Sequence, residues 1–120
     1  MKKYLFSFVL VCLIVTFSAC AKGGSLYGEK FPQLKQTAIA DILSAPDKFN
    51  GSQVLIAGEI VSECPSGGWF MLKENNAVIF VNLHPSNFAI PQAVGKSLKV
   101  WGGAGKNGPK GEVVGKGVEL

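Results

Sequence analysis

The stretch Ile39–Ile60, IADILSAPDKFNGSQVLIAGEI, changes its hydrophobic period partway along. In its first part Ile39, Ile42 and Leu43 fall at i, i+3 and i+4, the spacing of one apolar helix face, which predicts a short helix from about Gln36 to Ala45. Pro46 ends that helix, because its ring disfavours helical geometry at Ala45 and cannot donate to the hydrogen-bond ladder. Asp47–Ser52 is expected as a turn closing on Asn50-Gly51. Beyond it Val54–Glu63 is strongly β-prone, and Gly58 in its middle marks a bulge, a tight bend or a close backbone approach.

Four more strands are expected downstream. Cys64-Pro65-Ser66-Gly67-Gly68 is a turn, Trp69–Lys73 a second strand, and Glu74-Asn75-Asn76 a tight connection into a third at Ala77–Leu83. In that third strand Ala77, Ile79, Val81 and Leu83 alternate with Val78, Phe80 and Asn82, so both faces are nearly apolar and the strand is expected to be central. His84–Gly95 holds two prolines and is expected as a loop with one helical turn around Ala89–Val94. Ser97–Gly102 is a fourth strand, Gly103–Gly111 a glycine- and lysine-rich loop, and Glu112–Leu120 a fifth strand. An all-β fold follows: a five-stranded barrel preceded by a short helix. A sandwich would want seven or more strands, and closing the sheet hides its edges. Its expected core is Val54, Ile56, Ile60, Leu72, Ile79, Val81, Leu98, Val100 and Val118. A flat five-stranded α+β sheet is the alternative architecture.

Upstream, Met1-Lys2-Lys3 is a short cationic head, Tyr4–Phe17 an apolar run, and Phe17-Ser18-Ala19-Cys20 a small-residue close. That arrangement reads as an export signal, and the run is shorter than the roughly 20 residues a membrane-spanning helix needs. FSAC resembles the lipobox of bacterial lipoprotein precursors, with Phe17 where that pattern prefers leucine. The resemblance implies a signal peptide over residues 1–19, lipid on Cys20, and anchoring in the cell envelope. By the sorting pattern of such proteins, Ala21 directs the product to the outer membrane of a diderm cell. An ordinary signal peptide cut near Ala19 or Ala21 is the competing reading. Residues 20–35 are expected to be the lipidated end and a tether, flexible over the glycine-rich Ala21–Gly28, and residues 36–120 the folded domain.

Of the chain's twelve lysines, Lys2 and Lys3 belong to the leader, leaving ten against eight acidic side chains, and there is no arginine. This is not the dense basic patch of a nucleic-acid binder, and it lacks the side chain best suited to planar phosphate recognition. Cys12 falls in the leader and Cys20 is claimed by lipid. Only Cys64 remains, so the domain must hold together without an internal disulfide.

The segment from Ile39 to Ile60, with its aliphatic helix, proline, aromatic, glycine and a strand ending in Gly-Glu-Ile, resembles the opening of bacterial OB-fold domains (tRNA-anticodon-binding-like). The closing GKGVEL is similar to their last strand, and the likeness covers about Thr37 to Leu120. It implies an OB-like barrel that binds on its second and third strands and the loops beside them. In this chain that nominates Trp69, Met71, Ile79, Val81, the turn Pro65–Gly68, and the loop carrying Lys106, Asn107 and Lys110. The ligand is expected to be an envelope protein, peptide or glycan, with single-stranded nucleic acid an alternative. A second alternative is topological. The meander brings the end of its first strand, the start of its second and the end of its third together, so Cys64 and His84 could share a metal, haem or thiol partner. No G-x-S-x-G elbow, P-loop or cofactor-binding set is present, and no enzyme activity is expected.

Replacing Cys20 with serine is expected to abolish lipid labelling and lipoprotein processing in cells. Labelled lipid retained on Cys20→Ser would overturn the assignment.

Overall fold

The computed structural model describes residues 24–120; the expected signal peptide, Cys20 and the three residues after it lie outside the described residues. The elements run β1 (Leu26–Gly28), α1 (Ile39–Ser44), α2 (Pro46–Phe49), β2 (Gln53–Glu63), β3 (Trp69–Glu74), β4 (Ala77–Asn82), a 3-10 turn (His84–Ser86), β5 (Ser97–Asn107) and β6 (Lys110–Glu119).

β2 serves two partners in succession. Its first part, Gln53 to Glu59, pairs antiparallel with β5, setting Ile56 opposite Val100. From Glu59 onward it pairs with β3, with Ile60 opposite Leu72 and Glu63 opposite Phe70. Gly58 sits at this handover, and a Cβ there would run into the Lys73 carbonyl, so the glycine permits a close backbone approach. A bulge follows between Ile60 and Ser62, and a second lies between Trp101 and Gly102 in the β5–β6 pairing. Such extra residues bend a strand and raise its twist, as a tightly curled sheet needs. β3 and β4 form a hairpin around Asn75-Asn76, and β4 meets β6 in parallel over Phe80–Asn82. With β5 and β6 antiparallel along nearly their whole length, the ring β2-β3-β4-β6-β5 closes into a five-stranded OB-like barrel. The flat-sheet alternative is thereby excluded.

All nine expected core side chains are buried, joined by Phe70, Leu83 and Val113. Ile39 and Ile42 put the apolar stripe of α1 into the same core, and α1 packs on β3, β4 and β6. Its first turn leaves backbone donors without intrahelical partners, and the Glu74 carboxylate accepts one of them, Ile39 N–H, at 2.8 Å.

The sequence expectations differ from the fold in four places. Pro46 ends α1 but also opens α2, because the first helical position needs no N–H donor. The helical turn falls at His84–Ser86 instead of Ala89–Val94. The glycine-rich segment Gly103–Gly111 is no open loop: β5 and β6 run through it as a hairpin closed at Gly108-Pro109. Finally, the described part of the expected tether is bonded to the barrel. Leu26–Gly28 pairs with Gly117–Glu119 as a sixth strand, and Ser25 exchanges two backbone hydrogen bonds with Leu120 at 2.9 Å each.

Ile79→Ala is expected to cost about 2–5 kcal/mol, the range for a large aliphatic truncated in a core that cannot collapse. Its outward neighbour Val78→Ala should stay within about 0.5 kcal/mol of wild type. Urea unfolding of both variants checks the inside-outside assignment of β4.

Candidate functional site

The hairpin register decides which side chains share a surface. Trp69 lies opposite Asn82, Met71 opposite Phe80 and Lys73 opposite Val78. These six point away from the core, since the alternate residues Phe70, Leu72, Ile79 and Val81 are buried. Ile79 and Val81, expected to contact ligand, are 1% and 0% exposed, so that expectation is corrected: they are core residues with no surface to offer. The outward residues of β4 are Val78 and Phe80. The Trp69 and Phe80 rings pack at a centroid distance of 5.6 Å with planes tilted by 43°, a favourable aromatic arrangement. Both remain half-exposed, and Val78 is 37% exposed.

Beside this strip is a cleft of about 200 Å³ with an apolar lining of Leu43, Met71, Val78 and Phe80. Asn107, Lys110 and Glu112 from the tip of the β5–β6 hairpin also line it. The Asn107 amide donates to the Glu112 carboxylate at 3.4 Å. Of the three expected hairpin residues, Asn107 and Lys110 reach the cleft. Lys106 is committed elsewhere: its ammonium lies 2.6 Å from Asp47 and ties the hairpin to α2.

The other tryptophan has a different fate. Trp101 follows the buried Val100 on β5 and so faces outward, yet it is only 6% exposed. Its indole N–H donates to the Glu29 carbonyl at 3.2 Å, and the Lys116 ammonium stands 5.9 Å from its ring centroid. The segment continues to a bridge between Gln36 and Leu55, with Thr37 N–H bonded to the Leu55 carbonyl. One outer face is therefore roofed by residues of this chain, and the Trp69–Phe80 face has no such cover among the described residues.

The turn with Cys64 and the strand exit with His84 do lie at one end of the barrel. A Cβ on Gly68 would run into the His84 ring, and Leu83 N–H bonds the Gly68 carbonyl. Ser66, Gly68, His84, Asn87 and Phe88 line one shallow depression there. The turn itself is laced to the segment after β4. Gln92 donates to the Cys64 and Pro65 carbonyls, Ile90 N–H to Gly67, and Ala93 N–H to the Glu63 carboxylate. The Cys64 thiol lies 3.1 Å from the Ser66 hydroxyl. That hydroxyl, and next the Ser66 backbone N–H, stabilise the thiolate and hold the thiol below its ordinary pKa. Among the described residues no group of three or more His, Cys, Asp or Glu side chains is placed to hold a metal ion.

Five lining residues were missed from sequence, two of them, Gly111 and Glu112, because the start of β6 was expected to be the end of a loop and the first residue of the last strand rather than one side of a hairpin. Phe80 and Val78 were obscured because both faces of β4 are apolar. Counting back from a two-residue turn at Asn75-Asn76 would have put Met71 opposite Phe80. Leu43 belongs to α1 and carries no local signal that it reaches the sheet.

No protein-family model matches the sequence, and none of the curated proteins does. Among solved structures, the chain is similar to the hypothetical protein ygiW from E. coli. The superposition has a TM-score of 0.56 at 18% identity and covers 78% of this chain and 99% of that one. The likeness is one of fold, and it agrees with the OB-like barrel.

Ser66→Ala is expected to raise the Cys64 pKa, because a donor to the thiolate is lost. At pH 7 the thiolate fraction falls and alkylation by iodoacetamide slows. The rate-against-pH curve should shift to higher pH; an unchanged curve would show that the serine does not act on the thiol.

Proposed function

We propose that this chain is an exported, lipid-anchored OB-like protein of the cell envelope. Its barrel binds a protein, peptide or glycan of that compartment and catalyses no reaction. The cationic and apolar leader ending in FSAC supports export and attachment through Cys20, with the outer membrane as destination in a diderm cell. Two or more acyl chains give durable anchoring where one is marginal.

The observation that carries the binding role is the open strip of Trp69, Met71, Val78 and Phe80. A contiguous apolar surface that the fold leaves uncovered marks an interaction site more often than a scattered exposed residue does. Aromatic side chains add broad contact area at low conformational cost. A nucleic-acid ligand is disfavoured by the near balance of lysines and acids and by the lack of arginine.

The test uses residues 20–120 with Cys20→Ser, a chain that contains every described core residue. Immobilised protein incubated with envelope extract is expected to capture a component that the double variant Trp69→Ala, Phe80→Ala no longer retains. Val94→Ala, at an exposed apolar position away from the strip, should leave capture unchanged. Equal capture by the double variant would sink the reading. In parallel, single-stranded DNA and RNA titrated at about 0.15 M salt should show no saturable binding, since the few phosphate contacts available weaken as salt rises. Saturable binding lost with Trp69→Ala would transfer the surface to nucleic acid.

A further inference from the structure

We infer that the cleft at the hairpin tip receives one apolar side chain lying next to a carboxylate, as at the free C-terminus of a polypeptide. This rests on the binding role proposed above and narrows its ligand.

Size comes first. About 200 Å³ is room for roughly six or seven water-sized groups, enough for one branched or aromatic side chain and not a run of them. Chemistry comes second. Leu43, Met71, Val78 and Phe80 present hydrocarbon, a thioether and a ring, which favour an apolar group leaving water. Met71 adds an adaptable wall, since an unbranched thioether conforms to side chains of different shape.

The rim then fixes what adjoins that group. Three charged side chains of the hairpin tip are Lys106, Lys110 and Glu112. Lys106 is paired with Asp47, and Glu112 accepts from the Asn107 amide. Lys110 is exposed and has no ion-pair partner among the described residues. The cleft mouth thus offers one uncommitted ammonium to a carboxylate and one carboxylate, on Glu112, to a backbone N–H. An apolar residue at a peptide C-terminus carries all three matching groups: side chain, α-carboxylate and amide N–H. Lys73, another cation on this face, does not line the cleft and stands in register with Glu59 on β2. A phosphate chain would therefore meet one free cation at this cleft where it needs several.

The probes are N-acetyl-L-leucine and its neutral counterpart N-acetyl-L-leucinamide, titrated into the 20–120 Cys20→Ser protein and followed by NMR chemical shifts. Both are expected to move the Met71 and Val78 methyl signals, and the acid should also move Lys110. The acid should bind about twofold to fivefold more tightly, the range for an exposed ion pair. That preference should shrink with added salt and vanish in Lys110→Gln, whose otherwise unchanged spectrum would show an intact fold. Equal affinities, shifts confined to other residues, or a preference kept by Lys110→Gln would overturn the inference, as would the absence of any shift. If the probes fail while Trp69- and Phe80-dependent capture persists, this inference alone falls. Loss of that dependence would defeat the binding role itself.

Discussion

The handover at Gly58-Glu59, where β2 leaves β5 and takes up β3, is the constraint on which the molecule depends. A single strand pairing with two partners in succession is what lets five short strands close on themselves. It requires the backbones of β2 and β3 to approach within a distance that no side chain at position 58 would allow. It also requires curvature, which the bulge just beyond supplies. Once that strand is set, parity is set everywhere: Val54, Ile56 and Ile60 face inward, and β3 and β5 must match them. A slip of one residue would turn the whole set to solvent, so the register is held by the burial of the core as much as by hydrogen bonds.

Closure of a barrel leaves an outer surface on every strand, and this chain treats two parts of it differently. Over β2 and β5 it lays its own N-terminal segment, which shelters Trp101 and satisfies its indole N–H. Sheltering a tryptophan this way withdraws an area of order 150–250 Å² from water. On the β3–β4 face there is no such cover among the described residues. Trp69 and Phe80 satisfy each other in part, but the strip continues through Met71 and Val78 to the hairpin tip. Leaving this surface open forgoes stabilisation that the fold takes on the other side, which is the physical ground for assigning it an external partner.

Much of the architecture was legible because it depends on local periodicity. The i, i+3, i+4 stripe of α1, the β-prone runs Val54–Ile60 and Ser97–Val100 and the alternation of Ala77–Leu83 each announce a buried face, and seven of the nine expected core residues lie in those three strands. What depended on pairing between distant segments was not legible. Leu26-Tyr27-Gly28 is too short and too glycine-rich to show a period, and it becomes a strand because β6 presents an edge beyond the reach of β4. The hairpin Gly103–Gly111 was hidden because glycine and lysine weaken a strand signal, although the paired strands of a hairpin can carry both. In the candidate site, Trp69, Met71, Asn107 and Lys110 were nominated by the resemblance to OB-fold domains; Trp69 and Met71 lie on the outward face of β3, and Met71, Asn107 and Lys110 line the cleft beside it. Ile79 and Val81 were expected both in the core and at the ligand; their burial keeps the first role and removes the second, which had been assigned by strand and not by face.

The roof over Trp101 also bears on how the barrel would sit in the envelope. The expected tether is a free spacer through Gly28, yet the chain is hydrogen-bonded to the barrel from Ser25 onward. If Cys20 carries the lipid, as proposed, six residue steps separate it from Leu26, and even fully extended they span at most about 20 Å. The barrel would then be held at the bilayer surface rather than reaching across the compartment. Thermal freedom would come from rotation about that short link, and β1, an edge strand of three residues, would bear any pull on the anchor. A surface held there is well placed to meet something at or near the same membrane. A peptide terminus displayed by another envelope protein satisfies this, because it can extend to a fixed cleft that cannot itself move far.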